Sequence, residues 1–241
     1  MDKLLVFDIW GDYAHFKKIY ATTSAVSYTI PPKTSMYGYI GAILGLKKQH
    51  NDYLNSFKEG DCRIALQIVS PLVMQRINTN LRSVLGRMKA NGNRKPTMVE
   101  YVYKPHYRIF FQHKDDDLYE SLKSHLKEHK AVYTPTLGLA NLISNFEFIG
   151  EFNFTTELNS NLAIQTVIPK SKFVRFDIAA SFKNNNEIVE LSQYAVEMDI
   201  ERNVTKRDDI LLDRKGHPIQ AEVLESQQVN INDQNLNLVL F

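Results

Sequence analysis

Residues 28–46, YTIPPKTSMYGYIGAILGL, decide the fold because they join an extended segment to a helix that carries three glycines. A residue that precedes a proline is disfavoured in the helical region, so the extended run ends at Pro31. Thr34 and Ser35 are favourable N-cap residues, and the apolar residues after them recur at helical spacing. We therefore predict a helix that starts beside Thr34 or Ser35 and continues through the stretch.

The glycines Gly38, Gly41 and Gly45 lie three and four residues apart, so they share one face of the predicted helix. Each of them costs a helix interior about 1 kcal/mol relative to alanine, which requires a reason. A face without side chains lets another backbone come close. Two partners are possible: a neighbouring strand, or a nucleic-acid phosphate near the helix N-terminus, where free N–H groups favour anions.

Composition and length indicate an ordinary globular protein. The 241-residue chain fits one large domain or two small ones. No apolar run approaches the roughly 20 residues of a membrane span, and the N-terminus lacks a signal-peptide pattern. The single cysteine, Cys62, cannot form an internal disulfide and has no other metal ligand at useful spacing. We expect a cytoplasmic protein without a membrane span, metal ion or other cofactor.

The order of the predicted elements indicates an α+β fold. The predicted strands are Lys3–Trp10, Arg63–Met74, Tyr107–Gln112 and Asn145–Phe154, and the second helix is Asp115–Lys130. One helix follows the first strand and the other follows the third, which is the split βαβ arrangement of ferredoxin-like and RRM domains with an antiparallel sheet. We predict such a domain at residues 1–154, a polar linker at Thr155–Asn161 and a β-rich C-terminal region at residues 155–241.

A basic arm is predicted between the second and third of these strands, at about residues 75–104. The net charge of the chain is +2, yet the segment from Gln75 to Arg108 carries +7 and the remainder carries −5. Ala90-Asn91-Gly92-Asn93 gives a turn signal near the middle, which predicts a protruding hairpin or a loop with strand-like shoulders. The arm is either a solvated loop or a functional arm, and its interleaved apolar residues favour contact with RNA or a nucleoprotein surface.

Lys104, His106 and Arg108 form the one candidate catalytic constellation, because alternate residues of a strand share a face. They could bind phosphates without chemistry. Alternatively, His106 could act as general acid or base in metal-free RNA cleavage, with a cation steadying the phosphorane and Tyr37 or Tyr39 as a second proton shuttle. Phosphate binding is the preferred interpretation. No nucleotide-binding loop or metal-binding sequence motif is present.

Several of these segments together resemble the CRISPR-associated protein 5 family, the RAMP-superfamily subunit of type I interference complexes (Cascade). The resemblance rests on the first strand with Gly11, Ala14, Phe16 and Lys17 after it, on Ser27-Tyr28, on PPKTSMYGYIGAILGL and on Leu137-Gly138-Leu139. It covers residues 3–154 well and the C-terminal part weakly.

The resemblance implies a non-catalytic subunit that binds and caps the 5′ handle of the guide RNA (crRNA) for antiviral defence. The basic arm would be a β-hairpin thumb that contacts the RNA and the adjacent backbone subunit, and another surface would hold the large subunit, with target DNA nearby. The chain as a whole resembles the type I-B members of the family. In type I-C members the protein itself processes precursor RNA, which is the alternative function here and would use His106, Lys104 and Tyr37.

The resemblance also implies which residues face RNA. By match to the family's motif they are Lys17, Lys18, Tyr28, Thr34, Ser35, Met36 and Gly38, and by position and charge in the thumb they are Arg76, Arg82, Arg87, Lys89, Arg94 and Lys95. Lys104, His106 and Arg108 join this set as a phosphate-binding stripe. The predicted helix then has two roles, with residues 34–38 facing RNA and Gly41 and Gly45 packing on the sheet.

Overall fold

The structure, a computed structural model, describes residues 3–18, 25–58, 60–82 and 94–241. The strands are β1 (Lys3–Gly11), β2 (Tyr13–Ala14), β3 (Phe16–Lys17), β4 (Ser27–Tyr28), β5 (Cys62–Ile68), β6 (Val73–Arg82), β7 (Arg94–Tyr103), β8 (His106–His113), β9 (Ser144–Ile164), β10 (Ile168–Pro169), β11 (Phe173–Phe176), β12 (Ile188–Met198), β13 (Val204–Asp213), β14 (Ile219–Ile231) and β15 (Gln234–Leu238). The helices are α1 (Lys33–Leu44), α2 (Asp116–Lys127) and α3 (Ile178–Lys183), with two 3-10 segments at Gln49–Ser56 and Lys170–Lys172.

The central part of the main sheet has the strand order β9-β1-β8-β5, and all of these neighbours are antiparallel. The helix α1 follows β1 and the helix α2 follows β8 along the chain. This is the ferredoxin-like order, in which the first and third strands lie at the centre. The prediction of an α+β fold with an antiparallel sheet is confirmed.

Both faces of β1 are covered over most of its length, which explains why its sequence is apolar on both faces. Leu5, Phe7 and Ile9 belong to the core cluster that contains α1 and α2 residues. Leu4 and Val6 point to the second face and pack in a separate cluster with residues of β14 and β15. The sheet therefore curls so that its C-terminal strands cover part of its own second face.

The predicted linker at Thr155–Asn161 is wrong, because these residues lie inside β9, which runs unbroken for 21 residues. The strand β14 pairs with them from Val229↔Phe154 to Ile219↔Ile164. Most of their side chains are exposed, so the backbone ladder with β14 holds them in place. A polar sequence gave no sign of a strand whose partner lies about 65 residues further along the chain.

A second sheet of three strands, β10-β13-β12, packs against α1. Leu191, Tyr194 and Ile210 from this sheet belong to the same core cluster as α1 and β1. The helix therefore lies between two sheets, and eight of its twelve residues are buried. The C-terminal region thus continues the main sheet through β9 and completes the core around α1.

The helix α1 begins at Lys33, with Pro32 as its N-cap and no side-chain cap. The carbonyl oxygen of Pro32 accepts from the backbone N–H of Ser35 at 2.8 Å and of Met36 at 3.2 Å. The predicted capping by Thr34 or Ser35 is therefore wrong. Both residues lie inside the first turn, because the fixed φ of Pro32 already ends the extended segment before the helix.

The prediction that Gly41 and Gly45 pack on the sheet is also wrong. A Cβ at Gly41 would lie 3.7 Å from the Tyr53 ring in the 3-10 segment, and Gly45 is a left-handed C-cap at φ +73°. A Cβ at Gly45 would lie 2.7 Å from Val132, in the segment after α2. These two glycines let other loops approach the C-terminal half of α1.

The described part of the basic arm is a pair of antiparallel strands. β6 and β7 pair from Val73↔Tyr103 to Arg82↔Arg94. Arg87 and Lys89 lie outside the described residues. The base of the arm packs on the body of the protein, since Val99 and Tyr101 form a small core cluster with Leu142, Tyr13 and Ala25.

Candidate nucleic-acid interface

A groove of about 640 Å³ runs along α1. Five parts of the chain form its walls: β3, the helix α1, the segment that follows α1, the segment that follows α2, and the turn between β12 and β13. The lining side chains include Phe16, Thr34, Ser35, Met36, Gly38, Tyr39, Lys48, Tyr53, Tyr133, Gly138, Met198 and Arg202. Four of the predicted RNA-facing residues, those from Thr34 to Gly38, therefore meet in one groove.

The segment after α2 forms a wall of the groove because its backbone is tied at both ends. Tyr133 N–H donates to the carbonyl oxygen of Ala42 at 2.9 Å, and His15 N–H donates to the carbonyl oxygen of Leu137 at 3.0 Å. Gly138 has φ +99°, and a Cβ there would overlap the carbonyl oxygen of His15. Only glycine fits at this close approach, which sets the distance between the wall and β3.

Gly38 forms an open part of the groove floor. Apart from its chain neighbours and its own helix, no described atom lies within 4 Å of the Cβ that another residue would carry there. A glycine inside a helix costs about 1 kcal/mol relative to alanine. No contact within the described chain accounts for this cost, so the open backbone is available to a molecule that enters the groove.

The chemistry of the groove suits single-stranded nucleic acid. Tyr133 is 55% exposed and offers a ring for base stacking, while Phe16 lies buried in the wall. Lys48 and Arg202 are exposed cations at the groove. Aromatic rings that stack bases, together with cations that follow the backbone, are the usual means by which proteins bind single strands.

The other residues of the predicted handle-facing motif lie beside the groove. Lys17 is exposed in β3, next to the wall residue Phe16. Tyr28 is 3% exposed, and its hydroxyl donates to the carbonyl oxygens of Ser192 and Gln193 at 3.1 and 2.9 Å. The amino group of Lys18 lies 5.6 Å from the centre of the Tyr28 ring. The Tyr28 hydroxyl thus connects β12 of the second sheet to the wall of the groove.

A buried polar triad holds the start of α1, and sequence reasoning missed it. Lys33 Nζ donates to Glu197 Oε1 at 2.7 Å, and the Tyr37 hydroxyl donates to Glu197 Oε2 at 2.7 Å. The side chains of Lys33 and Glu197 are only 2% and 6% exposed. Burial is the main cause that raises the pKa of Tyr37 far above its ordinary value, and the charges of Cys62 and Glu197 add to it.

The residues proposed for the nuclease alternative are not brought together. Tyr37 belongs to the core on the helix side of the sheet, with Ile9 and Tyr107. His106 is one residue from Tyr107 on the same strand, so it projects from the opposite face. Lys104 has φ +45°, and its amino group lies 5.4 Å from the centre of the Tyr103 ring.

Asp8 pairs with two residues of the predicted stripe of Lys104, His106 and Arg108. Sequence reasoning did not consider this carboxylate. Asp8 is 5% exposed and lies opposite Arg108 in the β1–β8 register. Arg108 Nε donates to Asp8 Oδ1 at 2.7 Å and Nη2 donates to Oδ2 at 3.0 Å. His106 Nε2 lies 3.2 Å from Asp8 Oδ2. The side-chain hydrogen bond with Asp8 is the main cause that raises the pKa of Arg108.

The structure describes the basic arm only in part. Arg76 is 68% exposed in its side chain and lies 3.4 Å from Glu100. Arg82, Arg94 and Lys95 occupy the outer ends of β6 and β7.

Among the described residues no group of three or more metal-binding side chains is found. Within the same residues, no helix has the length and apolar character that crossing a membrane requires.

Lys48, Tyr133 and Arg202 are groove residues that sequence reasoning missed. Arg202 follows the last residue of β12 by four positions and reaches the groove because the second sheet packs on α1. The only available signal was the cation itself, which has no special sequence context. Its place depends on a sheet that the sequence pattern did not resolve.

Of three solved structures that align with the chain, the first below supports the fold. A CRISPR protein from Archaeoglobus fulgidus aligns with a TM-score of 0.54 and 12% identity over 98% of each chain. A chain of a CRISPR RNA-guided surveillance complex aligns with a TM-score of 0.43 and 9% identity, over 92% of this chain and 90% of that chain. A protein from Streptococcus mutans aligns with a TM-score of 0.36 and 15% identity over 61% of this chain, which covers 66% of that chain.

Comparison with families is more specific. No curated protein gives a match to the sequence. The family model described as CRISPR-associated protein (Cas_Cas5) matches residues 4–209, which is most of the chain. This match confirms the resemblance and extends it well beyond residue 154, into the second sheet. The chain belongs to the CRISPR-associated protein 5 family.

Proposed function

We propose that this chain is a non-catalytic RNA-binding subunit of a Cascade-type CRISPR surveillance complex in antiviral defence, and that it holds the 5′ handle of the guide RNA in the groove on α1. The observation that carries the proposal is the open backbone at Gly38 inside a groove with an exposed tyrosine and two cations. Unpaired bases would stack on Tyr133, and phosphates would lie near Lys48 and Arg202.

The basic arm is proposed as the thumb of the subunit. The described cations of the arm, Arg76, Arg82, Arg94 and Lys95, lie on a two-stranded extension whose base packs on the body. Such an extension can reach along a bound RNA and contact the adjacent backbone subunit. A further surface would join the large subunit, as in type I-B complexes, with target DNA nearby.

The geometry favours binding over cleavage. Tyr37 is fully buried and its hydroxyl is already bonded to Glu197, so it is a poor proton shuttle for a group on the other face of the sheet. His106 is paired with Asp8, and this carboxylate also accepts two hydrogen bonds from Arg108, so it is not free to act as the second proton carrier of a metal-free cleavage site. Cleavage of repeat RNA in EDTA that His106→Ala abolishes would establish the nuclease function instead.

Two substitutions at Gly38 test the groove. Gly38→Phe is expected to weaken binding of a labelled single-stranded repeat RNA about tenfold or more, because the ring fills the groove and displaces stacked bases. The fold should tolerate it, since the position is open. Gly38→Ala is expected to raise the free energy of unfolding by about 0.5–1 kcal/mol, because it removes a helix glycine from an unstrained position.

Fluorescence anisotropy and denaturant unfolding on the same preparations measure both effects. Gly38→Ala serves as the matched control, since it changes the same residue with little bulk. Wild-type RNA affinity in a folded Gly38→Phe protein would contradict the groove as the handle site.

A further inference from the structure

The second face of the main sheet lies on the side away from α1, and its side chains change from apolar to polar along β1. A row of Gly150, Val6, Phe110 and Ala65 is paired across four strands, and its members Val6, Phe110 and Ala65 are buried under β14 and β15. The next row is Glu147, Asp8, Arg108 and Gln67, and the last is Asn145, Trp10 and His106. Trp10, His106 and Arg108 remain partly exposed, so the cover ends before these two rows.

Trp10 is the single tryptophan of the chain and lies beside His106 on the two central strands. The two ring centres are 5.7 Å apart and the planes are inclined by 54°. Trp10 is partly exposed in the last row of the two central strands, and it is not among the residues of the buried cluster that β14 and β15 cover. Aromatic side chains on the central strands of an RRM-type sheet are the positions where such sheets stack unpaired bases.

The charges beside Trp10 argue for a base and against a phosphate. Asp8 is buried and accepts two hydrogen bonds from Arg108, so the guanidinium charge is already neutralised. A phosphate would have to compete with this buried pair and would leave the carboxylate of Asp8 uncompensated. A neutral base can bind beside this pair without separating Arg108 from Asp8.

Arg108 keeps donors for a neutral ligand. Its bonds to Asp8 use Nε and Nη2, which leaves Nη1 outside the pair. Because Asp8 holds the guanidinium in place, little side-chain entropy is lost when Nη1 donates to a base edge. His106, held by the same carboxylate, offers a second polar edge beside the indole.

We propose that Trp10, His106 and Arg108 form a binding site for one unpaired nucleobase of single-stranded RNA. The base stacks on the indole, and its acceptor atoms take hydrogen bonds from Arg108. Lys104 is exposed two residues before His106, where it can contact the flanking phosphate. The site rests on the proposed RNA-binding function and adds a second RNA contact at the base of the basic arm, on the opposite sheet face from the groove.

Tryptophan fluorescence tests the site directly, because every change in the signal comes from Trp10. A short oligoadenylate is expected to quench the fluorescence with a saturable curve. An abasic ribose-phosphate oligomer of the same length is expected to leave it unchanged. Absence of quenching by the oligoadenylate, or equal quenching by the abasic oligomer, would overturn the proposal.

Affinity measurements on two variants separate stacking from packing. Trp10→Leu is expected to weaken oligoadenylate binding about tenfold, because it removes the stacking ring. Trp10→Phe keeps a ring and should lose clearly less. Equal losses in both variants, or none in Trp10→Leu, would overturn a stacking role. If Trp10→Leu does not fold, the fluorescence test on the wild-type protein still decides.

The experiments distinguish a failure of the groove proposal from a failure of the base-site proposal. Quenching of Trp10 in the Gly38→Phe protein shows that the base site acts without the groove. If Gly38→Phe lowers affinity for repeat RNA and Trp10 is never quenched, the groove stands and the base site is refuted.

Discussion

Lys33→Met is expected to lower the free energy of unfolding by about 3–5 kcal/mol, because it leaves the buried carboxylate of Glu197 without its counter-charge. Lys33 and Glu197 lie 2.7 Å apart and are almost completely buried between α1 and β12. The Tyr37 hydroxyl remains as the other hydrogen-bond partner of this carboxylate, and it carries no positive charge. For a chain of this length the loss corresponds to a fall in melting temperature of roughly 10 °C.

The exposed pair of Lys170 and Glu190 provides a matched control for Lys33→Met. These groups are 2.9 Å apart, but their side chains are 50% and 39% exposed. Lys170→Met is therefore expected to change the free energy of unfolding far less than Lys33→Met does, because solvent screens the exposed pair. The double variant Lys33→Met with Glu197→Leu should recover much of the loss, because it removes both buried charges. Similar small losses in Lys33→Met and Lys170→Met would contradict the buried pair.

Gly138→Ala is expected to lower the free energy of unfolding by about 3 kcal/mol or more, through backbone strain together with overlap against a fixed carbonyl. Gly138 has φ +99°, and the added Cβ would collide with the oxygen of His15. Relief of the clash must move the groove wall away from β3, so RNA affinity should fall as well. Thermal unfolding and RNA anisotropy measure the two effects.

Gly60→Ala is the matched control for Gly138→Ala, because Gly60 also has a positive φ of +80°, while the one described atom found near its missing Cβ is Lys114 Nζ, at 3.8 Å. It should show the cost of the left-handed backbone alone, about 1–2 kcal/mol. Equal losses at both positions would show that the contact with His15 does not fix the wall.

The central fold could be predicted from the sequence because its signals are local. β1 is apolar over most of its length, and α2 begins at a local N-cap, with the Asp115 carboxylate accepting from the N–H groups of Asp117 and Leu118 at 3.0 and 3.1 Å. The chain order of these elements then leaves few ways to form the sheet. The resemblance to the family implied that Thr34, Ser35, Met36 and Gly38 face RNA, and these residues line one groove because they are close together on one helix.

The rest of the site depends on contacts between residues that are distant in sequence. Lys33 and Glu197 are 164 residues apart, and Asp8 and Arg108 are 100 apart. Which side chains meet is set by strand register, and a shift of one residue would place Asp8 on the other face. The polar half of β9 could not be recognised either, because its strand is held by a backbone ladder instead of an apolar pattern.

The most direct test of RNA binding in the groove is photo-crosslinking of 4-thiouridine-substituted repeat RNA to the wild-type protein, with the linked peptides identified by mass spectrometry. We expect links to groove residues, above all Tyr133, Thr34, Ser35, Met36 and Gly38, and their loss in Gly38→Phe. Links confined to the basic arm, with none in the groove, would contradict the claim that the groove on α1 holds the RNA.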